Sequence, residues 1–110
     1  GSRVAAALLG DQIVVWDVAS GTRIQEFVAG RGRVEVQALA LSEDGQLLAT
    51  GGYRGLLEVW DHEGRGLVSF PYESRGGERP HLTSIVFNQG EVSWAINGRV
   101  YSFELTLPPR

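Results

Sequence analysis

Two stretches of this chain repeat one another. Ile13 to Thr22 reads IVVWDVASGT, and Leu57 to Leu67 reads LEVWDHEGRGL. Each is an apolar run that ends in Trp-Asp and then breaks on Gly. Trp16 and Trp60 lie 44 residues apart, and Phe103-Glu104 takes the same place 43 residues further on. A period in the low forties marks a repeat architecture, whose units bury their apolar faces only against their neighbours.

Within each period the chain reads as strand, turn, strand. Runs rich in Val, Ile, Leu, Phe and Trp are punctuated by Gly, Asn, Asp and Pro. Strands are expected at residues 3–9, 12–18, 22–28, 34–41, 46–51, 56–61, 66–71, 82–87, 91–96 and 99–106. In 34–41, Glu35 and Gln37 alternate with Val34, Val36 and Ala38, the period of a half-buried strand. Ser42-Glu43-Asp44-Gly45 reads as a turn with a positive φ at Gly45. Asn97-Gly98 is the strongest hairpin signal. No segment carries a sustained helical period. Ten short strands permit a sandwich, an open barrel or propeller blades. The period, holding about four strands per unit, selects blades.

Composition bounds the rest. Of the 110 residues, 43% are hydrophobic and 21% charged, which excludes disorder by composition. With no Cys, disulfides and thiolate metal sites are excluded. The net charge of -3 argues against a generic nucleic-acid binder. No apolar run approaches the roughly 18–20 residues that cross a bilayer, and no signal peptide is visible, so the chain is expected in the cytoplasm. There is no Met, and Gly1-Ser2 resembles a cloning scar, so a segment of a longer protein is expected.

The motifs, taken in order, resemble the WD40-repeat β-propeller family. Val36 to Gly64, VQALALSEDGQLLATGGYRGLLEVWDHEG, follows a whole repeat without gaps. Leu82 to Glu104 follows it with one residue lost at a turn, and Val4 to Thr22 matches the second half. The resemblance implies an all-β fold of antiparallel four-stranded blades, incomplete at about two and a half repeats. On that frame residues 3–28 supply strands b, c and d of one blade. Residues 34–71 make a complete blade, residues 82–106 supply strands a, b and c of a third, and residues 107–110 form a frayed tail.

The departures from the family pattern matter as well. Family repeats often join a loop His, a strand-b Ser or Thr, a turn Asp and the strand-c Trp by hydrogen bonds. Here Arg54 stands at the Asp position belonging to Trp60, and the loop before that blade lacks His. Phe103 replaces the third Trp, with Asn97 where the Asp would be, and Trp16 follows a shortened Gly10-Asp11 turn. The indoles are therefore expected to rest on packing and one backbone partner.

Function enters by the same resemblance. It implies a non-catalytic protein-interaction, sensor or scaffold surface of a larger signalling protein, with no cofactor or metal. One end of the blades would carry Arg31, Arg33, Tyr53, Arg54, Tyr72, Arg75 and Arg79, diluted by Glu73 and Glu78. Such a face suits an acidic peptide or protein segment; ordinary solvated loop charges are the alternative. The other end would carry Glu43, Asp44, Asp61 and Glu63. His62 is expected in a solvated turn, His81 as a structural or surface residue, and Thr50 to Gly55 as a hairpin loop rather than a phosphate loop. An enzyme is disfavoured, because the innermost strands offer no converging acids or histidines. Partners are expected to be protein: the rest of the propeller, another subunit, or copies of the chain itself. No nucleic acid or membrane partner is expected. A self-assembling fragment with a purely structural role is the remaining alternative.

Overall fold

A computed structural model describes residues 3–8, 12–28, 36–52, 55–72 and 80–105. Ten antiparallel strands form three sheets. The first holds β1 (Arg3–Leu8), β2 (Gln12–Asp17) and β3 (Thr22–Val28). The second holds β4 (Ala38–Leu41), β5 (Leu47–Gly51), β6 (Leu57–Asp61) and β7 (Gly66–Phe70). The third holds β8 (Leu82–Asn88), β9 (Glu91–Ile96) and β10 (Arg99–Glu104). Each ladder joins strands consecutive in sequence. The fold is all-β, an incomplete propeller of blade-like sheets lying side by side.

The second sheet is covered on both faces, which explains its composition. Leu47, Ala49, Leu57 and Val59 pack with Leu82, Ile85, Val92, Trp94 and Ile96 of the third sheet. Leu48 packs the other way, onto Ile13, with Ala5, Ala7, Phe27 and Trp60 around the pair. Successive side chains of a strand point to opposite faces. All five residues of β5 are accordingly buried.

Strand β4 corrects one expectation. It begins at Ala38, so Val36 and Gln37 lie outside it, and its residues do not alternate in burial. Ala38 and Ala40 face the third sheet while Leu39 and Leu41 face the first. A strand with cover on both sides has no solvent face to show alternation. The other ends shift by one or two residues: β1 stops at Leu8, β7 at Phe70 and β10 at Glu104.

Aromatic rings bridge the sheets. Phe27 of β3 lies 5.1 Å from the Trp60 ring. Phe70 of β7 lies 5.2 Å from Trp94 and 4.7 Å from Phe103. Polar contacts add register: Arg3 Nη1 donates to the Gly45 carbonyl at 3.0 Å, and the Leu82 amide donates to Gln37 Oε1 at 3.3 Å. Gly51 of β5 lies against Leu82 of the third sheet. A Cβ there would stand 2.4 Å from Leu82 Cδ1, so only a residue without one admits the buried leucine.

Candidate protein-interaction faces

The antiparallel succession sends alternate turns to opposite ends of the sheets. The Gly52–Gly55 and Asn97-Gly98 turns open at one end. The turns that follow β2, β4, β6 and β8 open at the other.

Of the residues expected at the first end, Arg31, Arg33, Tyr53, Arg54, Arg75 and Arg79 lie outside the described residues. Tyr72 is described, and it is turned inward. It is half-buried against the core, edge-on to Tyr101 at 6.2 Å between ring centroids. Its Cβ lies 2.8 Å from where a Cβ on Gly55 would be. The structure thus brings Tyr72 together with Tyr101 and the Gly55 turn.

The same end shows how a turn is tied to the chain ahead of the next strand. The His81 amide donates to Asn97 Oδ1 at 2.9 Å, and the Asn97 amide donates to the His81 carbonyl at 3.3 Å. The main chain of His81 is held from both sides while its ring is exposed.

Trp60 corrects the expectation of a backbone partner. Its Nε1 donates to Thr50 Oγ1 at 3.0 Å, and Thr50 is 1% exposed. A buried indole N–H needs such an acceptor. The sequence offers this acceptor only as one Thr in the strand before the Trp.

The second end is acidic, and its aspartates hold the turns. Asp17 accepts from the Ser20 hydroxyl at 2.8 Å and the Ser20 amide at 3.2 Å. Asp44 accepts from the Ser42 hydroxyl at 2.7 Å and the Gln46 amide at 3.0 Å. Asp61 accepts from the Glu63 and Arg65 amides, both at 2.9 Å, with Arg65 Nε at 3.3 Å. These donors favour the charged form. The Ser20 hydroxyl, with its amide, lowers the Asp17 carboxyl below the usual carboxylate range, and the Arg65 amide leads the same effect at Asp61. His62 sits exposed in this turn, Nε2 3.6 Å from Glu63. Among the described residues no group of three or more His, Cys, Asp or Glu is placed to hold a metal.

Glu91 and Glu104 were not singled out from the sequence. They face each other across β9 and β10, both exposed at the acidic end. Counting back from Asn97-Gly98 would have found them, because a two-residue turn pairs Ile96 with Arg99 and so fixes every rung below.

No family model matches the chain. Solved structures do. The chain is similar to Raptor from Chaetomium thermophilum, with a TM-score of 0.77 at 15% identity. That match covers 97% of this chain and 10% of Raptor. It is also similar to KlHsv2 with loop 6CD replaced by a Gly-Ser linker, with a TM-score of 0.76 at 21% identity. Here 98% of this chain and 37% of the other are covered. Identities this low speak for the fold alone. The chain spans a tenth to about a third of the proteins it resembles. No helix among the described residues is long and apolar enough to cross a membrane.

Proposed function

We propose that this chain is a WD40-like propeller segment serving as a non-catalytic protein-interaction scaffold, in the cytoplasm, within a signalling protein. The observation that carries the reading is the match of nearly the whole chain to parts of two larger proteins. Rigid sheets with turns gathered at two ends of different composition suit recognition of other proteins. The partner at the Arg and Tyr end is an acidic peptide or protein segment. That end would meet it through Arg31, Arg33, Tyr53, Arg54, Arg75 and Arg79, with Tyr72 supporting from below.

The outward faces of the first and third sheets favour a protein neighbour as well. Val4, Leu8 and Val28 are exposed on the first, Val86 and Val100 on the third. Such faces fit cover by another blade, whether of a longer chain, another subunit or a second copy. A self-assembling structural role is the second reading, and it rests on these faces.

The test is fluorescence anisotropy with a labelled acidic peptide of alternating Glu and Ala. Reversing Arg31, Arg33 and Arg54 to Glu should weaken binding by about tenfold or more and flatten its salt dependence. An unchanged affinity would refute the Arg and Tyr face.

A further inference from the structure

We infer a second recognition site at the opposite end of the blades. The cleft between the Ser42–Gln46 turn and the Gln89-Gly90 turn takes a cationic side chain, Lys or Arg, from a protein partner.

The cleft encloses about 310 Å³ between the second and third sheets. That is the low end of the range for binding pockets, suited to one long side chain rather than a cofactor. Its floor is apolar: Leu47 is buried, with Phe87 and Leu105 half-buried beside it. Its rim carries the exposed carboxylates of Glu43 and Asp44 and the carboxamide of Gln89. An apolar floor under an acidic rim is complementary to a methylene stem with a cationic head. A guanidinium fork would meet the Glu43 carboxylate in two parallel hydrogen bonds.

The walls are held in place without a ligand. Ser42 Oγ accepts from the Leu47 amide at 3.0 Å and donates to Asp44. The Leu105 amide donates to the Gly90 carbonyl at 2.7 Å, closing the other wall. A site formed in advance loses little ordering entropy on binding.

Further acidic residues lie at the same end. Glu91 and Glu104 stand opposite one another on the rung beside Gly90 and Leu105, but on the outer face of the third sheet with Ser93, so Glu43 and Asp44 supply the cleft's own charge. Like charges on facing rungs are destabilising. Among the described residues no cation pairs with Glu43, Glu91 or Glu104. The Glu91 and Glu104 pair adds only to the negative field of this end, and Glu43 is the rim charge that a seated cation would meet.

The experiment titrates the 110-residue chain with a blocked peptide of alternating Arg and Ala, followed by ¹⁵N–¹H NMR. The same peptide with Glu for Arg is the charge control. Saturable shifts are expected at the amides of Glu43, Phe87, Gly90 and Leu105 with the Arg peptide alone. Glu43→Gln should raise Kd by at least about threefold, and Glu104→Gln, on the outer face, by less. Glu26→Gln, on β3, should not change it. The inference is overturned if no saturable shift appears at these amides, if both peptides act alike, or if Glu26→Gln matches Glu43→Gln. Each variant's own spectrum reports its fold. Should one unfold, loss of the wild-type shifts between low and high salt decides instead.

Discussion

Thr50 and Trp60 occupy register positions that all three sheets fill differently. Trp60 faces Leu48 in register, and Thr50 stands two residues beyond on the same face. In the third sheet the same places hold Phe103 and Trp94, with Val92 opposite Phe103. A phenyl ring has no N–H to satisfy, so no hydroxyl is needed and an indole fills the space. In the first sheet Trp16 faces Val4, with Ala6 in place of the threonine. One register position thus carries Thr beside Trp60, Trp beside Phe103 and Ala beside Trp16, so the hydroxyl acceptor belongs to the second sheet. The Trp-Asp repeat was legible from the sequence. Its acceptor was not, because a lone Thr in a strand has many ordinary uses.

Glu58 shares that face and is less well satisfied. Its register neighbours are Thr50 and Ser69. Its Oε1 is buried without a hydrogen-bond partner, and burial pushes its carboxyl above the ordinary glutamate range. A raised pKa means that the folded chain holds a proton where the unfolded chain has lost it. Stability therefore falls as pH climbs from the unfolded value, about 4.3, through the folded one. Glu58→Gln removes the charge. It should be more stable than the parent at pH 8, by about 1 kcal/mol. The difference should shrink towards pH 4 in urea unfolding. Parallel curves across that range would show that the charge carries no cost.

At the scale of elements, the β9–β10 hairpin turns on two residues with positive φ, 49° at Asn97 and 78° at Gly98. Such a turn matches the right-handed twist of the flanking strands. A Cβ on Gly98 would meet nothing within 4 Å. The cost of Gly98→Ala is therefore conformational, about 1–2 kcal/mol, with native spectra retained. A loss below about 0.3 kcal/mol in chemical denaturation would contradict the positive φ. This hairpin was legible because Asn-Gly answers to local geometry. The start of β4 was not legible. Its alternation in sequence came from Glu35 and Gln37, upstream of the strand, while the strand itself answers to cover supplied by residues far away in sequence.

At the scale of the whole molecule, stability resides between sheets as much as within them. Phe70 is the ring that joins the second sheet to the third, through Trp94 and Phe103. Phe70→Ala should cost about 3 kcal/mol. Hydrogen exchange should then show β8–β10 opening at lower free energy than β5–β6. Uniform loss of protection would mean that the sheets unfold as one body. The propeller class could be read from the repeat because period and strand count are properties of order along the chain. The acidic cleft could not, since it needs two turns separated by a whole sheet to stand side by side.

Sequential pairing has one more consequence. The backbone can be cut between Val28 and Val36, or between Tyr72 and Pro80, without severing a single ladder. Each resulting piece keeps all its strand partners and loses only its neighbour's surface. Two polypeptides expressed apart and mixed should therefore find each other through rings, leucines and a few hydrogen bonds such as those of Arg3 and Gln37. This architecture lends itself to split reporters, in which association in trans restores a molecule that was never threaded as one.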